Sequence, residues 1–457
     1  MPENHLADFG AGLGQFLVGF LERSVGHAIL TPYFGDVIGY TNRIYSFLKD
    51  ITLENYKAKQ VKPQDWMVSR ETSRVMNALG AGKALFVGGC VRNMLLGEDV
   101  VDVDIASQWT PQEATEKLTQ AGIRVVPTGI DHGTVTAIVD KKPYEITTLR
   151  RDIETDGRRA VVSFTEDWRE DAQRRDFTMN TLLADPQGNI YDPTGEGLKD
   201  LEARRVRFVG DPATRIREDY LRILRFFRFH AQYGKGAPDA EGLKACKVAA
   251  DEIPTLSKER ITQEFLKILS VDNPVDILSV IFDNTVLTQF LFPEYQPDLL
   301  KHLCEFQNRF GIAFVSPRLY VLSGLSHDNI KRMERLLLIP KVFKRDIEAI
   351  SEILKLPDLG KDQAVKVAVY KHGRTSTAQA LIIEVAQDRV MNGYINKALE
   401  IIQKWDIPTF PVDGNDLMKA GIEKGPALGA ALSKLEDWWI EQEFKPDRKT
   451  CLNHLNK

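Results

Sequence analysis

The chain reads as α+β, a mixed-sheet head followed by an elongated, all-helical remainder, and three observations predict this. Short β-prone runs bounded by Gly, Pro or Asp crowd between residues 84 and 149. Beyond residue 215 strand signals nearly vanish, and long segments carry apolar residues at helical spacing. The 457 residues are 43% hydrophobic and 27% charged, the balance of an ordinary globular chain of several domains. That balance excludes disordered, collagen-like and membrane-embedded classes.

Taken in order, residues 1–61 form an N-terminal extension of unknown role. Within it FGAGLGQFLVGFL (9–21) is apolar but too short for a bilayer, which needs about 20 residues. Glu3 and Asp8 precede it where a secretory signal needs basic residues, so a short helix packed on the body is expected. Residues 62–200 form the head. Its strands are expected at ALFVGG (84–89), VDVDIAS (101–107), IRVVPTG (123–129), TVTAIVD (134–140) and PYEITTL (143–149), with PQEATEKLTQAG as a helix among them. IREDYLRILRFFRFHAQY and ERITQEFLKIL place helices in a neck over 201–275. KRMERLLL and VFKRDIEAISEILKL continue the pattern into a helical body and tail over 276–457.

Sixty Lys+Arg against 64 Asp+Glu leave a net charge of −4, so any nucleic-acid partner must be held by local basic surface. Eight arginines stand between 204 and 228 against three acids, a local excess of +5 suited to RNA phosphates. A second basic cluster lies at 331–346. The four cysteines never form CxxC, which points to a reducing, cytoplasmic setting without a disulfide framework or zinc knuckle.

The segment LFVGGCVRNMLLGEDVVDVDIAS (85–107) carries the chemistry. A β-run ends in Gly88-Gly89, where the backbone can approach a ligand closely and a helix start offers unpaired N–H groups to phosphate. Arg92 adds a planar fork suited to phosphate oxygens. Asp102 and Asp104 alternate with Val101, Val103 and Ile105, so on a strand both carboxylates point to one face. Two such carboxylates repel unless a cation lies between them, the arrangement that holds Mg²⁺ beside a triphosphate. Glu145 is a candidate third carboxylate if its strand lies next to the pair, an adjacency that sequence alone leaves open. Cys90, inside the turn, reads as a small buried residue whose alkylation should inhibit.

GGCVRN…DVDIA resembles motif A of the nucleotidyltransferase superfamily, in the branch that holds class II CCA-adding enzymes and bacterial poly(A) polymerases. The resemblance continues in order over residues 84–269. Asp156-Gly157-Arg158-Arg159 is similar to the flexible element, Arg174-Arg175-Asp176-Phe177-Thr178-Met179-Asn180 to the ribose motif, and Glu218-Asp219-Tyr220-Leu221-Arg222 to the template motif. Glu259-Arg260-Ile261 with Glu264 is similar to the helix-stabilising motif that follows. The resemblance implies a nucleotidyltransferase head, Mg²⁺ on Asp102 and Asp104, and a triphosphate gripped by Gly88, Gly89 and Arg92. It also implies that Arg175, Asp176 and Asn180 recognise ribose, with Arg225 and Arg228 near the nucleotide. The expected activity is addition of C, C and A to tRNA 3′ ends from CTP and ATP. The flexible element favours full CCA addition over CC alone.

The template motif has its own chemical logic. Asp219 and Arg222 are three apart, which makes their side chains neighbours on a helix. Cytosine and adenine each show an amino donor and a ring-nitrogen acceptor, so an Asp acceptor beside an Arg donor satisfies both. Uracil and guanine present the reverse pattern and leave both groups unpaired, at about 1–3 kcal/mol for each buried group.

Motif A departs from its family at Asn93, where Asp is common; Asn keeps the hydrogen-bonding shape and loses the charge. His327-Asp328 reads as a helix-end loop rather than part of a metal site, and His132 as a turn residue. Two other readings stand beside CCA addition, namely a poly(A) polymerase and a non-catalytic relative that only binds RNA.

Overall fold

The computed structural model describes residues 53–455, apart from 131–132, 157–158, 286 and 288–295. The apolar run at 9–21 and His132 therefore lie outside the described residues.

Ten strands are present: β1 (Lys57–Gln60), β2 (Ala84–Val87), β3 (Asp104–Ser107), β4 (Arg124–Gly129), β5 (Thr134–Val139), β6 (Lys142–Thr148), β7 (Arg150–Asp156), β8 (Arg159–Phe164), β9 (Leu183–Ala184) and β10 (Asn189–Tyr191). Eight of them make one mixed sheet in the order β1-β10-β9-β2-β3-β6-β5-β4, and β7 pairs with β8 as a separate hairpin. Every neighbouring pair is antiparallel except β3 with β6. A parallel pair needs a long crossover. Here that connection contains the helix Pro111–Gln120, which Thr110 and Glu113 start with a reciprocal capping box and Pro111 in the first turn. All four residues of β2 are buried, as expected of a central strand covered on both faces. Leu85, Val87, Ala106, Leu149, Trp168, Leu183 and Tyr191 pack together around it.

The described chain divides into two compact units. The first runs through Leu149 and takes in Glu166–Arg169 and Leu182–Gly195; the second holds Arg150–Thr165, Glu170–Thr181 and everything from Glu196 on. This division differs from a single boundary at residue 200. The short strands β9 and β10 are needed by the sheet, since β9 pairs with β2 and β10 with β1. Strand β1 also brings 57–60 into the sheet, ahead of the expected start at 62. Residues 170–181 have a different anchor. Phe177 is fully buried, with ring centroids 5.0 Å from Phe208 and 4.9 Å from Phe229. Phe208 in turn stacks on Phe226 at 5.4 Å.

The second unit is otherwise helical. Its helices include Pro212–Glu218, Leu221–Tyr233, Ala240–Val248 and Lys258–Leu269, followed by further helices to Leu455. Near the C-terminus Leu417, Trp439 and Cys451 form the centre of a separate apolar cluster. Among the described residues no helix is long and apolar enough to cross a membrane.

Candidate active site

In the first unit the site is built where β2 ends and β3 begins, beside the middle of β6. Strand β2 runs antiparallel to β3 with Phe86 opposite Ile105, which sets Asp104 alongside Val87 just before the glycine turn. Gly88 sits at φ +71°, a conformation that a side chain would strain, and Gly89 opens the helix Gly89–Leu96. A Cβ placed on Gly89 would lie 3.7 Å from Arg92 Nη2, so the guanidinium lies along the turn. Arg92 is only 7% exposed. Its Nε and Nη2 both donate to Asn93 Oδ1, at 3.2 and 2.9 Å.

The sheet settles the adjacency that the sequence left open. Asp104 is in parallel register with Glu145, so the two side chains share a face. Glu145 is exposed and Asp104 half-buried. Strand β3 starts at Asp104 rather than at Val101, which leaves exposed Asp102 in the segment leading into it. The candidate donors are thus Asp104, with Glu145 in register beside it, and Asp102 two residues earlier. Among the described residues no three His, Cys, Asp or Glu side chains converge as a metal-binding group. Two carboxylates fit Mg²⁺, which commonly takes the rest of its shell from water and substrate phosphates. Behind the turn, the Cys90 thiol contacts the carbonyls of Val87 (3.3 Å) and Asp104 (3.7 Å). Burial pushes this thiol up to about 11, so at neutral pH it is protonated and a poor target for alkylation.

In the second unit the nucleotide-selecting candidates meet in ion-paired networks. Packing of Phe177 against Phe229 carries Asp176 to Arg225 on the helix Leu221–Tyr233. Asp176 Oδ2 accepts from Arg225 Nε at 2.9 Å, while Oδ1 accepts from Asn180 Nδ2 (2.9 Å) and the Phe177 N–H (2.8 Å). Burial opposes ionisation of Asp176, but Arg225, Asn180 and the Phe177 N–H outweigh it and hold the carboxyl below its ordinary range. Arg228 is 9% exposed, with Nε 2.5 Å from Glu264 and Nη1 2.9 Å from Gln232. Arg175 is paired with Asp171 at 2.8 Å, four residues earlier. Burial again opposes the Asp171 charge, and Arg175 and Arg174 lead the groups that hold its carboxyl low.

The template residues correct one expectation. The helix Pro212–Glu218 ends at Glu218, and Asp219 is extended (φ −159°, ψ 106°) before the next helix begins at Leu221. Asp219 and Arg222 therefore do not lie along one helix: Asp219 precedes the second helix and Arg222 is in its first turn. The break has a physical cause: Asp219 Oδ1 accepts from the Leu221 N–H at 3.1 Å and so caps the second helix. Asp219 Oδ2 pairs with Arg260 at 2.6 Å. Arg222 uses Nη1 for Glu218 (2.6 Å) and the Arg215 carbonyl (2.9 Å).

The arginine run is also less free than its charge suggests. Arg205 and Arg207 both pair with fully buried Asp200, which also takes the Thr178 hydroxyl at 2.7 Å. Arg215 and Arg222 share Glu218. Asp200 stands five and seven residues before Arg205 and Arg207, spacings that mark no helical pair, whereas Asp171 stands at the i,i+4 spacing that does. Asp156 and Arg159 are the last backbone partners of the β7–β8 hairpin, and Gly157 and Arg158 lie outside the described residues. His327 opens a short helix that Ser326 caps.

The sequence profile of the Poly A polymerase head domain matches residues 84–207. Two further profiles match, for an RNA-binding region of polymerase A over 238–299 and for domain 2 of tRNA nucleotidyltransferases over 318–454. The mitochondrial CCA tRNA nucleotidyltransferase 1 of Mus musculus is 33% identical over 381 residues, covering 81% of this chain and 86% of that protein. The CCA-adding enzyme of Streptococcus suis is 33% identical over 391 residues, covering 82% and 92%. Among solved structures, the Bacillus stearothermophilus CCA-adding enzyme in complex with CTP shares the fold with a TM-score of 0.65 at 23% identity, covering 84% of this chain and 96% of that one. With a third of its residues shared across most of both lengths, the chain belongs to the family of CCA-adding tRNA nucleotidyltransferases.

Proposed function

We propose that this chain adds C, C and A in turn to tRNA 3′ ends from CTP and ATP, releasing pyrophosphate. The observation that carries the reading is that the Gly88-Gly89 turn follows β2 where Asp104 opens β3, with Glu145 of β6 in register beside Asp104. Family membership implies a divalent metal, and Mg²⁺ is our specific assignment, held by Asp102 and Asp104. Two such ions would divide the work, one supplying charge that lowers the pKa of the attacking 3′-hydroxyl and the other charge that neutralises the departing pyrophosphate. The chain's own residues position the reactants. Backbone N–H groups at Gly88 and Gly89, with Arg92, hold the triphosphate in line with the hydroxyl. Glu145, in register with Asp104, adds negative charge that favours cation binding.

In the second unit we assign ribose recognition to Arg175 and Asn180, with Asp176 acting through Asn180 and Arg225. Arg228 braces Glu264. Base choice falls to Asp219 and Arg222. Each Asp219 oxygen retains a second lone pair, and the Nε and Nη2 hydrogens of Arg222 take no bond among the described residues. An amino group and a ring nitrogen match that edge, as in C and A. We assign Asp156, Gly157, Arg158 and Arg159 to the step from C to A addition. We place the reaction in the cytoplasm, consistent with four buried, unpaired cysteines.

The test is a tRNA transcript lacking its last three nucleotides, incubated with Mg²⁺ and CTP, ATP or both. Two additions with CTP and a third only with ATP support the proposal. Two C additions with both nucleotides mark a CC-restricted enzyme, and long A tails mark a poly(A) polymerase. RNA binding without incorporation marks a non-catalytic relative.

A further inference from the structure

The departure at position 93 has a two-sided geometry. Asn93 Oδ1 accepts both Nε and Nη2 of Arg92, at 3.2 and 2.9 Å, while its Nδ2 donates to the Asp99 carbonyl at 3.0 Å. Its backbone carbonyl also accepts from the Glu98 N–H at 2.9 Å, where Gly97 closes the helix in the left-handed conformation. One residue thus ties the phosphate-facing guanidinium to the start of the segment that runs on to Asp102. An amide can do both jobs because it carries an acceptor and a donor. An ionised carboxylate keeps the first bond and loses the second, since it would set a lone pair against the Asp99 carbonyl.

We infer that Asn93 is a positioning residue that couples Arg92 to the 98–102 segment, and that its amide group is required for this. The inference rests on the proposed reaction for its catalytic consequence only. Asn93→Asp separates the two sides of the contact: the Arg92 bonds survive and the tie to Asp99 does not. Asn93→Ala removes both.

Three measurements decide it: hydrogen–deuterium exchange over residues 97–103, equilibrium binding of CTP with Mg²⁺, and kcat for CTP addition to the truncated tRNA. Asn93→Asp is expected to speed exchange in that segment and to hold CTP affinity within about twofold. Its kcat is expected to fall on the order of 10- to 100-fold, the cost of a misplaced group. Asn93→Ala is expected to speed exchange equally and also to weaken CTP binding by about fivefold or more. Wild-type exchange and kcat in Asn93→Asp would overturn the inference, as would wild-type CTP affinity in Asn93→Ala. A wild-type chain that binds CTP but extends no tRNA removes the proposed reaction alone, because exchange and CTP binding still decide the role of Asn93.

Discussion

The two units treat their functional side chains in opposite ways. In the first, Asp102 and Glu145 are exposed and Asp104 is half-buried at the end of a strand. In the second, Asp176, Arg225, Glu264 and Arg228 hold one another in a largely buried chain of ion pairs. The difference fits what each is proposed to bind. Carboxylates meant for a cation must stay open to it, and their mutual repulsion is relieved when it arrives. Groups meant to position a ribose are best held in place beforehand, because a loose Asp or Arg would have to be ordered when the nucleotide binds.

The contrast predicts that substitutions in the first unit damage chemistry and spare stability. Asp102→Ala or Asp104→Ala should lower nucleotide addition by about 10³-fold or more, the scale of several kcal/mol of lost charge stabilisation. The unfolding free energy of Asp102→Ala should stay within about 0.5 kcal/mol of wild type in urea, as for other exposed positions. A large loss of stability in that variant would break the comparison.

The reverse is expected at Asp176. Asp176→Asn leaves Arg225 facing a neutral group and should cost about 2–3 kcal/mol, below the usual range for a buried pair because Arg225 is 30% exposed. The pH dependence sharpens this. The native carboxyl of Asp176 lies below its ordinary value of 3.8, so its contribution is fully present above that pH and is lost as pH falls through the native value. The stability gap between wild type and Asp176→Asn should therefore be wide at pH 7 and close below about pH 3.8, as measured by denaturant unfolding at each pH.

A smaller effect is expected in selectivity. Arg222→Ala should cut discrimination against UTP by roughly tenfold, the scale of one or two hydrogen bonds, as read from competition between CTP and UTP. Smallest of all, alkylation of native Cys90 should be negligible at pH 7 and rise only as pH approaches 11, followed by mass spectrometry of the labelled peptide.

How much of this was legible in the sequence depends on range. The β2 run and the Gly88-Gly89 turn are local patterns that the structure keeps, whereas of the expected Asp102/Asp104 alternation only Asp104 lies on the strand. The register of Asp104 with Glu145 is not local, since it depends on a parallel crossover through an intervening helix and two strands. The break at Asp219 was hidden because IREDYLRILRFFRFHAQY keeps helical periodicity across it, while the deciding event is one side chain capping Leu221. The arginine run misled in the same way. Its charges look free in the sequence, yet Asp200 and Glu196, which lie upstream of the run, take Arg205 and Arg207.

The most direct measurement of the division of labour compares Asp102→Asn with Arg222→Ala on the truncated tRNA, scoring CTP, ATP, UTP and GTP separately. The account predicts that Asp102→Asn depresses addition of CTP and ATP by the same factor, while Arg222→Ala changes which nucleotide is added and retains measurable addition. Contradiction would come from Asp102→Asn altering the ratio between nucleotides, or from Arg222→Ala losing all addition with its CTP:UTP preference unchanged.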